Sequence, residues 1–456
     1  MSEGALELAE RALSFATGEA QATVVRERSL LSRFAVSRPT QATDVDDTEV
    51  SILRVHDGHT GLAKTNDLAD DGLRATAARA DAAARAAARA AGAPGDYPGL
   101  PARARARPHE EYDTATARLD PEPAGAALAA AFGVCARDGL EAFGIWTAGA
   151  TETAIASSAG VRAHDALTDA FMKVIARAPD GRTGWAAATG TAVDAIDAGA
   201  LATRAAAKVS RETPAELAPG EYPVVFEPDA VGSLLDFLGF LAFNGLSHAE
   251  GRGALAGRLG ERIAAPAINL ADAPRAPRTL PRSFDLEGVP KTPLPLIQDG
   301  VAHAVVHDTR SAARAGVRST GHALAPGGAS FGPVPTNLVL TGGGAADEAE
   351  LMTPIERCSY VTRLWYVNPV HEKSTLLTGT TRDGTFLIED GRISRPVRDV
   401  RFTDSVLRIL EATEALTATP RLVAEADFYG RRFANGVVCP ALRAHDFRIT
   451  GATVAA

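Results

Sequence analysis

Cysteine is scarce in this chain of 456 residues: Cys135, Cys358 and Cys439 lie far apart and form no CxxC. Three isolated thiols speak against a disulfide framework and fit a reducing compartment. Lysine is rare as well, the basic residues being almost all arginine, and acidic residues outnumber basic ones by 56 to 47. The resulting charge of −9 excludes a general attraction to nucleic acid or to an anionic membrane. Long apolar runs are also missing. The most apolar segment, Leu234 to Phe243, contains Asp236 and is about half the roughly 20 residues that a membrane-spanning helix needs. The opening MSEGALELAERAL has acidic residues where a signal peptide needs positive charge and an unbroken apolar run. The expectation is a cytoplasmic protein.

Several motifs of known chemistry are absent too. There is no GxxxxGK[ST] phosphate loop and no GxSxG nucleophile elbow. A zinc peptidase helix needs two histidines on one face with a carboxylate to activate water. His109-Glu110 and His371-Glu372 have no second histidine one turn later, and they read as solvated loop residues. His303 and His307 have helical ligand spacing, but GVAHAVVHD alternates like a strand, which would hold them about 13 Å apart. His248 and Glu250 form a single HxE beyond the end of an apolar helix, too few ligands for a metal. Arg103, Arg105 and Arg107 read as a solvated loop rather than an anion patch. The glycine-rich Ser319 to Asn337 reads as a long loop shaping a groove or an interface.

What is present points to a soluble, globular α+β protein. The hydrophobic fraction is 46% and the charged fraction 23%, and the length implies two or three domains. Helical spacing predicts a helix over Glu3 to Ala16, and alternation with β-branched residues predicts strands in 19–36 and 50–66, the second stretch turning at Asp57-Gly58. The alanine- and arginine-rich Asp70 to Gly92 predicts a helix. Further helices are expected near Ala124 to Arg137 and Ala192 to Val209, with strands between them to about Ala188. SRETPAELAPGEYP is the best domain boundary, dividing the chain into 1–215 and 220–456. Beyond it lie the short strand YPVVFEP and a buried helix, Ala230 to Phe243. A strand pair is expected across Asp299-Gly300, and a meander turning at Asp383-Gly384 and Asp390-Gly391. The segment GVVCPALRAHDFRITGATV is expected to supply paired final strands.

The second half resembles the TldD/TldE (PmbA) family, and within it the TldE-like branch. The resemblance rests on FNGLSHAEGRGALAGRLGERIAAPAINLADAP, on DTRSAARAGVRSTGHA running into GPVPTNLVLTGGG, on TGTTRDGTFLIEDGRISRPVRDVRFTDSVLRIL, and on VVCPALRAHDFRITG. It implies an N-terminal helix/strand domain and a C-terminal domain rich in antiparallel, barrel-like curled sheet. In the family's TldD-type subunit the helix after the first strand of the C-terminal domain carries HExxxH, and a further cysteine ligand precedes the terminal strand. Here that helix, DAVGSLLDFLGFLAF, has neither histidine nor glutamate, and FYGRRFANGVV has no cysteine. The resemblance therefore implies a subunit with no catalytic residue and no metal of its own, paired with a TldD-like metallopeptidase that holds the zinc. Together they would enclose a channel for unfolded peptides or peptide-like natural-product intermediates. His248, Glu250, His322 and Asn337 are the candidate channel residues. Two other readings stay open: a scaffold or carrier-binding protein in a biosynthetic cluster, and an independent hydrolase with an unrecognised site. DNA contact, suggested by the family's older description as a modulator of DNA gyrase, is not expected of so acidic a chain.

Overall fold

The computed structural model describes residues 3–424 and 431–452. Six long strands come first: β1 (Ala20–Ala35), β2 (Arg38–His56), β3 (His59–Thr65), β4 (Glu141–Ser157), β5 (Arg162–Arg177) and β6 (Thr183–Gly190). They form an antiparallel sheet in the order β3-β2-β1-β4-β5-β6. Helices α1 (Ala5–Ser14), α2 (Asp70–Ala91), α3 (Glu122–Arg137) and α4 (Ala198–Ala207) pack against it. Because side chains alternate along a strand, each strand divides its residues between two faces. Ala22, Val24, Val50, Ile52, Ala154 and Ala156 join Leu8 of α1 and Leu73 of α2 in one core. Ala170, Met172 and Val174 join Leu128 of α3 and Leu201 of α4 in another. The intervening Thr23, Val25, Ser51, Thr151, Thr153 and Leu167 face away and line a cleft.

The alanine-rich helix expected from Asp70 lies against β3 because a glycine leaves room for it. A Cβ at Gly61 would meet the backbone of Ala80 and Ala84 at 2.3 Å. The helix ends at Gly92, whose φ of 64° is the left-handed cap glycine adopts most easily.

Strand β7 (Gly220–Phe226) leads into α5 (Pro228–Ala242). This helix is hydrophobic on most of its circumference, as a helix enclosed on several sides must be. Leu234, Leu235, Leu238 and Leu241 join the largest core, with Val224, Phe226, Leu338, Val437, Phe402 and Phe447. Two sheets supply those neighbours. One orders strands 301–302, 294–298, 270–272, 337–340, 436–439 and 421–423; the other orders 364–371, 376–381, 400–405, 442–452, β7, 357–361, 385–389 and 392–396, with 413–416 beside 442–452. No helix among the described residues is long and apolar enough to cross a membrane.

Several expectations need correction. The fold is mixed, with extensive antiparallel sheet, but barrel-like curl does not describe it: each sheet runs between two open edges. Asp383-Gly384 does not close a hairpin, since 376–381 and 385–389 are not neighbours; of the two turns expected in that meander, Asp390-Gly391 is the one that joins adjacent strands. The two final strands belong to different sheets, with Pro440 and Ala441 crossing between them. The return strand after Asp299-Gly300 stops at Ala302, so His303 and His307 lie beyond it. A helix not foreseen, Thr309–Ala315, begins there, where the Asp308 side chain accepts from the Ser311 N–H. The helix expected from Ala192 is a short turn at Val193–Ala195 followed by α4.

A clasp joins the first sheet to the later chain. Arg363 stacks between Trp185 of β6 and Trp365, at 4.1 and 4.8 Å from the ring centres, and pairs with Asp383 at 2.7 Å. Asp383 also accepts from the Thr183 hydroxyl at 2.6 Å. Cation–π stacking of a desolvated guanidinium is worth about 2 kcal/mol.

Since Leu238 is fully buried in the α5 core, Leu238→Ala should destabilise the protein by about 2–5 kcal/mol through the cavity it leaves. Urea unfolding followed by circular dichroism checks this; a loss under about 1 kcal/mol would mean that α5 is not the centre of the packing.

Candidate functional site

Helix α5 is the one that the resemblance matches to the peptidase subunit's metal-binding helix, and ion pairs occupy its first turn. Glu227, the N-cap, accepts from the Tyr360 hydroxyl and from Lys208, both at 2.8 Å. Asp229 pairs with Arg421, which also donates to the Ala187 carbonyl at 3.3 Å. Cys439 is buried and its thiol donates to the Pro228 carbonyl at 3.3 Å; burial pushes its pKa up, away from the thiolate that binds zinc. Each carboxylate here already has a cation, and no group of three or more metal-ligating side chains converges among the described residues. A zinc ion, which needs at least three such donors, does not fit these residues. Of the stretch 428–438, where a cysteine ligand was sought, residues 428–430 lie outside the described residues.

The four channel candidates fall into two pairs. His248 is half-buried on the one-turn helix Gly245–Ala249, capped by Asn244, rather than in a loop; burial lowers its pKa. Glu250 follows that helix and pairs with Arg252 at 2.8 Å and Arg314 at 2.6 Å, which hold its carboxyl below the usual range. His322 and Asn337 are buried and meet on one acid. His322 Nε2 lies 3.2 Å from Asp272 Oδ1, and the Asn337 N–H donates to Asp272 Oδ2 at 2.9 Å. The Asn337 amide also donates to the Leu280 carbonyl at 2.6 Å, which fixes the backbone there. Among the described residues, no hydrogen bond or ion pair links His248 or Glu250 to this second pair.

Asp272 belongs to a buried polar network that the sequence did not suggest. Lys291 lies 3.1 Å from Asp272 Oδ1. Burial works against ionising Asp272, but Lys291, His322 and backbone donors outweigh it and hold the carboxyl far below its usual range. Nearby, Asp285 accepts three backbone N–H groups, from Glu287, Val289 and Ala323, each at 2.9 Å. Glu287 accepts from the Thr309 N–H at 2.9 Å and from the Tyr97 hydroxyl at 3.0 Å, tying residue 97 to the later chain. Burial pushes Asp285 up to about 6; burial together with the Asp285 charge pushes Glu287 up to about 8. The available signal was three charges, Asp285, Glu287 and Lys291, within seven residues of a proline-rich segment. His109, expected to be solvated, is also enclosed: its ring lies 3.0 Å from Asp165, whereas Glu110 is exposed. His371 is exposed and Glu372 pairs with Arg252 at 3.0 Å.

Between the helix-free face of the first sheet and this network lies a cleft of about 310 Å³, at the lower end of the usual ligand-site range. Its other wall comes from residues 281–286, 324–326 and 431–434. Arg431 and Arg432 fasten that wall to the sheet. Arg432 donates to Asp169 at 2.7 Å and to Thr147 at 2.8 Å, and its backbone N–H donates to Glu27 at 2.8 Å. Arg431 reaches the Val25 carbonyl at 2.9 Å and Asp47 at 2.8 Å. Leu62, Leu167, Leu324, Pro326 and Phe433 supply apolar surface, and Thr23, Ser51, Thr151 and Thr153 supply hydroxyls. The arrangement is suited to holding an extended chain with mixed side chains. Sequence reasoning passed over all of these residues, because their partners lie hundreds of positions away.

Residues 219–451 match the family described as PmbA/TldA metallopeptidase C-terminal domain. A protein named metalloprotease from Methanothermobacter thermautotrophicus is 26% identical over 208 residues, which are 44% of this chain and 44% of that protein. The match thus spans less than half the length of that curated relative. Among solved structures, TldE from Thermococcus kodakarensis superposes with a TM-score of 0.85 at 20% identity, covering 98% of this chain and all of the other. A protein described as a modulator of a DNA gyrase, from Thermotoga maritima, gives 0.82 at 20% identity, covering 97% and 99%. At that identity the likeness establishes the fold alone.

The Asp285–Glu287 pair has a consequence for stability. A carboxyl whose folded pKa lies above its unfolded value of about 4.3 holds its proton more tightly when folded. Stability is therefore fully present below the unfolded value and is lost as pH rises through the folded one. Stability should fall from about pH 4.3 to about pH 8 on account of Glu287, and Glu287→Gln should reduce that fall. Urea unfolding at pH 5 and pH 8 checks it; an unchanged difference between the two pH values would mean that Glu287 is ionised throughout.

Proposed function

Because the chain belongs to the PmbA/TldD metallopeptidase family, we propose that it is a TldE-like subunit without a metal of its own. In this reading it pairs with a TldD-like zinc metallopeptidase and presents unfolded peptides, or peptide-like intermediates, to that partner. Residues 1–215 and 220–456 would be its two domains, and the cleft between the first sheet and the loops at 281–286, 324–326 and 431–434 its peptide seat. The observation that carries the reading is the first turn of α5. By resemblance α5 is the helix that carries the zinc ligands in the peptidase subunit; here DAVGSLLDFLGFLAF has neither histidine nor glutamate, and Arg421 and Lys208 already neutralise Asp229 and Glu227 at its start.

This chain's contribution is then binding and enclosure. Hydroxyls and apolar side chains of the cleft would hold an extended segment, and the arginine staples at 431 and 432 would keep the two walls at a fixed separation. Such positioning lowers the entropic cost of bringing a peptide bond to a reacting centre. His248 and Glu250 lie outside the cleft lining, and Glu250 is neutralised by two arginines, so neither is assigned a chemical role. The independent-hydrolase reading would look to Lys291, Asp272 and His322, but those side chains are buried beside a hollow of about 10 Å³, room for about one water.

Reconstitution with a TldD-like chain tests the proposal. Purified alone, the chain should carry well under one zinc by elemental analysis. With its partner it should elute as a heterodimer that cleaves unfolded peptides. Leu324→Trp, which fills the cleft, should lower cleavage at least tenfold with assembly intact. His248→Ala and Glu250→Ala should stay within a few-fold of the parent, where loss of a true general base costs about a hundredfold or more. Stoichiometric zinc surviving dialysis, or full activity of Leu324→Trp, would overturn it.

A further inference from the structure

Four cations line the cleft: Lys64, Arg282, Arg431 and Arg432. Three are matched by carboxylates. Lys64 meets Glu49 at 3.1 Å, Arg431 meets Asp47 at 2.8 Å, and Arg432 meets Asp169 at 2.7 Å. Arg282 is different. Its guanidinium stacks on the Phe433 ring at 4.1 Å, and its one hydrogen bond among the described residues runs from Nη2 to the Ala434 carbonyl at 3.1 Å.

Asp165 and Asp272, whose charges act on Arg282 without forming an ion pair with it among the described residues, are both committed elsewhere. Asp165 accepts from the Ser283 N–H at 2.8 Å and its hydroxyl at 2.9 Å, and lies 3.0 Å from His109. Asp272 is engaged by Lys291, His322, Thr336 and Asn337. A guanidinium stays charged at any working pH. Arg282 is only partly buried, and its remaining N–H groups are not sealed from solvent, so they stand open to an acceptor entering the cleft. The ring of Phe433 fixes the guanidinium plane, which prepares its free edge for a planar, two-oxygen acceptor.

We propose that Arg282 is the seat for a carboxylate of the bound ligand, so that the cleft selects peptides presenting a free carboxylate, either the C-terminal one or an aspartate or glutamate side chain. One unmatched positive charge suits one negative charge. The rest of the ligand would lie against Leu167, Leu324 and Phe433, facing the hydroxyls of Thr151 and Thr153. The assignment rests on the reading of the cleft as the peptide seat and gives that seat a chemical preference. Arg282 is thereby a specificity-determining residue, with no part in bond breaking.

Calorimetry with the full chain tests it, using three N-acetylated pentapeptides of alanine and leucine: one with a free C-terminus, one amidated, and one amidated with an internal glutamate. The free acid should bind at least tenfold more tightly than the plain amide, and Arg282→Gln should bring the two within twofold. Restored binding by the glutamate peptide would place the carboxylate on a side chain; its failure would place it at the C-terminus. Equal binding of free acid and both amides by the parent chain would overturn the seat while leaving the peptide cleft standing. No binding of any of the three would overturn the cleft reading and the seat with it. Should Arg282→Gln not fold, the acid-to-amide ratio of the parent chain decides alone.

Discussion

A strand places alternate side chains on opposite faces of its sheet, and the four helices of the first half cover only one face of the six-stranded sheet. The other face buries clusters of its own, Ile145 with Phe171 and Trp185, and Ile155 with Val161 and Phe284, but along the cleft it carries threonine, serine and charged side chains as well as valine and leucine, too mixed there for a dry core. Everything the later chain does near the first sheet follows from that division. The loops at 281–286 and 431–434 approach the face without sealing it, and what remains between them is a cleft with two chemically different walls. Arginine makes the approach specific. Arg432 alone engages Asp169, Thr147 and, through its backbone, Glu27, and removing one partner of such a buried pair costs far more than the pair adds.

The second centre of the molecule obeys a different rule. Helix α5 is held by apolar contact over most of its surface, with Asp236 on its exposed side, and in its first turn Glu227, Asp229, Lys208 and Arg421 balance one another. A turn with its charges already balanced has little left to offer a cation. On the proposed function, α5 serves this chain as a packing element.

What could be read from the sequence, and what could not, follows the range of the interactions. The buried helix α5, the alanine-rich helix ending at Gly92 and the α+β character depend on local periodicity and capping, and they were legible. Strand pairing is not local. Asp383-Gly384 has the chemistry of a hairpin turn, yet the strands it joins find other partners, because β-sheet register is decided by whole-sheet packing. The break at Pro440 hides the crossing of the last strands between sheets. The site was legible least of all. Asn337 and His322 were singled out, but Asp272, which joins them, and Lys291, which neutralises it, carry no motif. Arg282, Arg431 and Arg432 look like ordinary surface arginines until the positions opposite them are known.

The stacking of Arg363 between Trp185 and Trp365 has an optical consequence. The chain has three tryptophans, and Trp146 is the other one, buried in the core beneath α3 and α4. Two of the three chromophores therefore share a single guanidinium at the seam between the first sheet and the later chain. Any motion that parts the seam alters the surroundings of both at once, while Trp146, enclosed within the first half, stays dark to it. The protein's native ultraviolet emission is thus a built-in gauge of how firmly its two halves are closed, and no added label is needed to read it.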